Sequence, residues 1–143
     1  MGIKRVSPEE ARELMDRQGY AYVDVRSIPE FEAGHPEGAY NVPLLHMGAG
    51  GRMLPNPDFL GVIESRFAKD AAVVLGCRSG GRSFQAAMVL AASGFTNVID
   101  QRAGFEGAVG PGGSEAGWRA RGLPVSTKPA PERTYDSLRA KAR

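Results

Sequence analysis

Apolar positions along the chain fall into short continuous runs, separated by longer segments with helical spacing. In 7–19, SPEEARELMDRQG, the residues Ala11, Leu14 and Met15 share one helical face. Ser7 can cap that helix, Pro8 suits its first position, Glu10 completes a capping box and Gly19 ends it. AYVDV (21–25) reads as a short buried strand, IPEFEAGH (28–35) as a short helix and GAYNVP (38–43) as an extended segment stopped by Pro43. HMGAGGRMLPN (46–56) reads as a glycine-rich loop. A helix follows over 56–68, with Asn56 as cap, Pro57 at its first position and Phe59, Leu60, Ile63 and Phe67 on one face. AAVVLG (71–76) is a second central strand. RSFQAAMVLAASG (82–94) is a helix with almost no polar face, predicted to be largely buried, with Gly94 and Phe95 closing its end. NVID (97–100) is a third strand. From 101 to 122 glycines break the pattern; Phe105 and Trp118 mark this stretch as an ordered loop anchored on core aromatics.

Short strands alternating with helices predict an α/β fold with a mainly parallel sheet. In such sheets ligands bind beyond the carboxyl ends of the strands. Asp24 and Cys77 both fall at or near such ends, which directs two chemically capable residues to one edge.

Composition changes this picture little. At 143 residues, 42% apolar and 24% charged, the chain suits one globular domain. Its net charge of +2 is too weak to argue for nucleic acid. No apolar stretch reaches membrane-spanning length, and no signal-peptide core opens the sequence, so a membrane partner is not expected. The charge is uneven: 124–143 holds five basic and two acidic residues, leaving 13 basic and 14 acidic before it. The expected organisation is one domain over 1–125 and a basic tail over 126–143, disordered or carrying a peripheral helix. A single cysteine cannot form an intrachain disulfide; a reducing, cytoplasmic setting is the expectation.

That cysteine carries the candidate chemistry. The strand ending at Gly76 delivers Cys77 to the loop Arg78, Ser79, Gly80, Gly81, Arg82, and a helix starts around Arg82 or Ser83. A strand–loop–helix turn points several backbone N–H groups into one concavity, and the helix N-terminus adds roughly half a positive charge. Arg78 and Arg82 can add more. A thiolate would be stabilised there, and an anion attracted. An inert core cysteine is the alternative, but arginines are poor neighbours for one. Spacing then separates two chemistries. Cysteine phosphatases close their cradle with C-x5-R, whereas Cys77 to Arg82 is C-x4-R. The tighter ring suits one extra sulfur on the cysteine better than a tetrahedral phosphate. A phosphatase or arsenate reductase is therefore the weaker alternative, and a redox or regulatory module a further one.

Other residues are assigned scaffold roles. Asp24, in an apolar strand, needs a partner such as Arg26, Arg82 or backbone N–H groups, and is expected to brace the loop. His35 reads as a structural hydrogen-bonding residue. His46 and Arg52 are weak substrate-contact candidates. Ser83 is expected to cap the helix. No His, Cys and carboxylate cluster has metal-ligand spacing, and GAGG (48–51) is not a dinucleotide fingerprint.

Two separated blocks resemble the single-domain rhodaneses, a family of sulfurtransferases. DVRSIPEFEAGHPEGAYNVP (24–43) is similar to the family's N-terminal signature, and CRSGGRS (77–83) to its six-residue active loop and the serine after it. GWRARGLPV (117–125) resembles its tryptophan–glycine–leucine–proline ending. The sequence departs from the family at Pro36, where isoleucine is usual, and by extra residues over 104–117, either a flap over the site or a surface elaboration. The resemblance implies a three-layer fold with helices on both faces of the sheet and no cofactor. It also implies a ping-pong transfer: Cys77 takes the outer sulfur of thiosulfate as a persulfide and passes it to cyanide or a thiol. Amides of 78–83 would stabilise the charge, and Arg78 and Arg82 would bind the anion. A sulfur carrier that delivers to a biosynthetic protein is the alternative within this reading.

Overall fold

The computed structural model describes residues 2–142. It opens with a strand that the apolar pattern does not announce: β1, Lys4–Val6, buries only Val6. Helix α1 (Pro8–Gln18) has the expected Ser7–Glu10 capping box and ends on Gly19 in the left-handed conformation. Strand β2 (Ala21–Asp24) and helix α2 (Ile28–Ala33) follow, then two-residue strands β3 (His35–Pro36) and β4 (Tyr40–Asn41). The glycine-rich loop is a hairpin, β5 (Leu45–Met47) with β6 (Met53–Pro55), turned by a 3-10 segment at Ala49–Gly51. Helix α3 (Phe59–Arg66) starts later than expected, with Asp58 at its cap position; Asn56 instead turns the chain by accepting from the Asp58 N–H at 3.0 Å. Strand β7 (Val73–Gly76), helix α4 (Gly81–Ala92) and strand β8 (Val98–Gln101) form the central unit. The 101–122 region folds into a second hairpin, β9 (Gly107–Gly110) with β10 (Gly113–Ala116). The chain closes with β11 (Val125–Ser126) and α5 (Tyr135–Lys141).

Five strands pair in the order β1-β8-β7-β2-β4, and every pairing is parallel. Strand alternation divides the core in two. Val23, Val73 and Leu75 face one side, against Val62 and Ile63 of α3, Leu90 of α4 and Tyr135 and Leu138 of α5. Tyr22 and Val74 face the other, with Ala11 of α1, Phe105 and Trp118. The result is the α/β arrangement of three layers, helices covering both faces of a parallel sheet.

Helix α4 corrects one expectation. Although nearly all apolar, it buries only Ser83, Ala86, Ala87 and Leu90, and Met88 is 46% exposed. It lies in an outer layer and presents a single stripe to the sheet, so apolarity on its other faces has no partner to meet. The segment after Ser126 is docked: Tyr135 and Leu138 are buried, the Asn56 amide donates to the Tyr135 hydroxyl at 3.1 Å, and His46 stacks edge-on against the Tyr135 ring.

Candidate active site

Cys77 leaves β7 at the carboxyl end of the sheet and is 2% exposed. Its sulfur faces the loop, where the Gly80 N–H donates to Sγ at 3.1 Å. Gly80 also serves as the N-cap of α4, at φ 100° and ψ −18°. A Cβ on Gly80 would overlap the Arg102 carbonyl oxygen, so only glycine lets the loop close this tightly. Helix α4 therefore begins at Gly81, earlier than the sequence suggests. The N–H groups of Gly81, Arg82 and Ser83 open the helix without intrahelical acceptors, directly after the residue that donates to the thiol.

The loop is held from beneath. The Phe105 N–H donates to the Cys77 carbonyl at 2.7 Å and the Glu106 N–H to the Arg78 carbonyl at 2.9 Å. Gln101 builds the turn that brings Phe105 there: its Oε1 accepts from the Ala103 and Gly104 N–H groups, both at 2.8 Å. Asp24 and Arg26 sit one layer away, 1% and 3% exposed. The Arg26 guanidinium donates to Asp24 Oδ2 at 2.7 Å and to the Gly34 carbonyl at 2.6 Å, and stacks 4.4 Å from the Phe105 ring centroid. Asp24 thus acts through Arg26 and Phe105 on the loop, and takes Arg26, not Arg82, as its partner.

The two loop arginines have different fates. Arg82 forms a two-pronged ion pair with Glu30 of α2, at 2.7 and 3.0 Å, which withdraws its guanidinium from free anion binding. Burial pushes the Glu30 carboxyl up, but hydrogen bonds from Arg82 and Ser27 outweigh it and hold Glu30 at about 2. Arg82 stays firmly charged, chiefly through its hydrogen bonds to Glu30, with Cys77 and Asp24 adding to the effect. Arg78 is exposed at the rim and has no ion-pair partner among the described residues. Ser79 and Gly81 share that exposed rim. Ser83 does not cap the helix: it is buried inside α4 and its hydroxyl donates to the Gly80 carbonyl at 3.3 Å.

His35 is buried, donates through Nδ1 to the Phe31 carbonyl at 2.8 Å and stacks on the Phe31 ring. Burial pushes its imidazole below the ordinary value. His46 and Arg52 line neither cleft beside the loop. Sequence reasoning missed Arg5 and Asp100. Asp100, wholly buried at the end of β8, binds Arg5 Nε at 2.8 Å, and Arg5 reaches toward the Gly80 carbonyl. Burial pushes the Asp100 carboxyl up, and its Oδ1 has no hydrogen-bond partner among the described residues. The available signal was an acid inside an apolar strand on the edge that holds Cys77. Glu30 was missed because its partner lies 52 positions away.

The rhodanese-like domain profile matches residues 7–109. Thiosulfate sulfurtransferase 16, a chloroplastic protein of Arabidopsis thaliana, is 42% identical over 107 residues, covering 75% of this chain and 80% of its own. Rhodanese-like domain-containing protein 15, also chloroplastic and from Arabidopsis thaliana, is 43% identical over 95 residues; the match spans 66% of this chain but only 51% of that protein. Among solved structures, Rv0390 from M. tuberculosis superposes with a TM-score of 0.73 at 30% identity, covering 90% of this chain and all of its own.

Proposed function

The chain belongs to the rhodanese-like domain family, and from that premise we propose that it is a sulfurtransferase that carries one sulfane sulfur as a persulfide on Cys77. The observation that carries this reading is the Gly80 N–H directed at Cys77 Sγ where α4 begins. A backbone donor and a helix N-terminus together stabilise negative charge on sulfur. The Cys77 thiolate attacks the outer sulfur of thiosulfate. A bond forms between Sγ and that sulfur, the sulfur–sulfur bond of thiosulfate breaks, and its electron pair leaves on sulfite. The terminal sulfur of the persulfide keeps one negative charge, now within reach of the same amides.

Arg78 is the cation left free to draw the anionic donor to the rim, because Arg82 is engaged by Glu30. Cyanide or a thiolate then attacks the terminal sulfur and returns the electron pair to Cys77 Sγ, which closes a ping-pong cycle. Thiosulfate is the first donor to test because two relatives are named thiosulfate sulfurtransferases. We place the reaction in the cytoplasm, where a reduced thiol persists; no described helix is long and apolar enough to cross a membrane.

Intact-mass measurement after exposure to thiosulfate tests the reading. The expected result is a gain of one sulfur atom, removed by cyanide and absent from Cys77→Ala. A wild-type protein that gains nothing under conditions that load a known sulfurtransferase would overturn it.

A further inference from the structure

The extra residues over 104–117 create a feature beside the cradle. The β9–β10 hairpin and the loop enclose a groove of about 400 Å³ whose lining includes Arg5, Ser79, Gly81, Arg102, Ala108 and Glu115. Ser79, Gly80 and Gly81 belong to both the cradle and the groove wall, so whatever lies in the groove abuts the rim above Cys77. The volume falls within the roughly 300–1,000 Å³ of sites that hold ligands of drug size, and far exceeds what thiosulfate or cyanide needs.

The walls suit an extended main chain. In the hairpin register Ala108 stands opposite Glu115 and Gly110 opposite Gly113, so these four share one face, while Val109 and Ser114 take the other. Three of the four carry a methyl group or less. A Cβ placed on Gly81, Gly110 or Gly113 would meet nothing within 4 Å, so both walls leave backbone open to a ligand. Two guanidinium groups, with side chains 40% (Arg5) and 38% (Arg102) exposed, join Phe84 and Val109 in the rest of the lining. Arg5 is held by Asp100 through Nε and its Nη1 has no hydrogen-bond partner among the described residues, whereas Arg102 is engaged by Glu115 through Nε and Nη2 and faces Glu10 with Nη1 at 3.8 Å. Arg5 is thus oriented by one carboxylate and keeps a donor for another.

We propose that this groove binds the sulfur acceptor, and that the acceptor is a cysteine-bearing segment of a protein with a carboxylate residue beside the cysteine. The inference rests on the persulfide reading above. The acceptor thiolate attacks the terminal sulfur of the Cys77 persulfide. A sulfur–sulfur bond forms on the acceptor, the bond to Cys77 Sγ breaks, and the electron pair returns to Sγ as thiolate. The acceptor leaves as a persulfide.

The test uses full-length protein loaded from thiosulfate and three acceptors. These are cyanide, a blocked peptide with one cysteine followed by aspartate, and the same peptide with asparagine in that place. The acidic peptide is expected to discharge the persulfide about tenfold faster than its amide counterpart, the worth of one charge-assisted contact. Ala108→Trp fills the groove, and the ratio of acidic-peptide to cyanide discharge rates is expected to fall at least tenfold. Gly110→Trp, on the same face, provides the second variant if the first fails to fold. Equal rates for the two peptides, or an unchanged ratio in a variant that still loads, would overturn the proposal and leave the persulfide reading intact. Failure of the wild type to load would sink the persulfide reading and this inference with it.

Discussion

At the residue scale, Gly80 concentrates the chemistry. Its N–H meets the Cys77 sulfur, its carbonyl accepts from Phe84 N–H as the first bond of α4, and its missing side chain admits the Arg102 carbonyl. No other residue type combines these, because at φ 100° a Cβ is strained before it clashes. Gly80→Ala is expected to destabilise the fold by about 2 kcal/mol or more and to abolish sulfur loading even where the protein stays folded. Denaturant titration and intact-mass loading on the same preparation check both halves. The glycine pair was legible in the sequence as a device for a tight loop. Which glycine caps the helix was not, because that depends on Arg102, the residue that follows β8.

At the scale of elements, the regular units were legible wherever local chemistry defines them. The α1 capping box and its Gly19 terminus are contained within thirteen consecutive residues and form as the sequence implies. Elements defined by pairing were not. β1 is a polar edge strand that becomes a strand only by bonding to β8. The two hairpins were read as loops because glycine and short length hide period-two alternation. The sequence leaves the terminal segment between disorder and a peripheral helix, and packing decides it: Tyr135 and Leu138 seat α5 beside α3 and against the β5–β6 hairpin. Tyr135→Ala is expected to cost about 3 kcal/mol, in the range for removing a buried aromatic ring. Hydrogen exchange would show the loss first in the amides of the 45–55 hairpin, which loses the ring contact to His46 and, at the residue that follows it, the hydroxyl contact to Asn56.

At the scale of the whole molecule, Glu30 and Arg82 tie α2 to α4 across the top of the sheet. The Glu30 carboxyl is depressed to about 2, so its contacts with Arg82 and Ser27 contribute stability that is present above the ordinary carboxylate range and is lost as pH falls toward 2. Chemical denaturation across pH 7 to 3 is expected to show wild-type stability falling below about pH 5, with the curve of Glu30→Gln flatter there and lower at neutral pH. Parallel curves would show that the ion pair does not couple folding to protons.

By itself the sequence determined the strand–loop–helix unit around Cys77, the ring of four residues between it and Arg82, and the braced Asp24. All of these rest on short-range chemistry: caps, turns and periodicity written in neighbouring residues. The tertiary structure alone decided how the charges are shared. It assigned Arg82 to Glu30, left Arg78 free, drew Arg5 and Asp100 to the back of the loop, and set the 107–116 hairpin beside the cradle. The reason is that an ion pair or a groove is made by side chains that meet only after the sheet has assembled, and any of several arginines satisfies the sequence until packing brings one within reach of a given carboxylate.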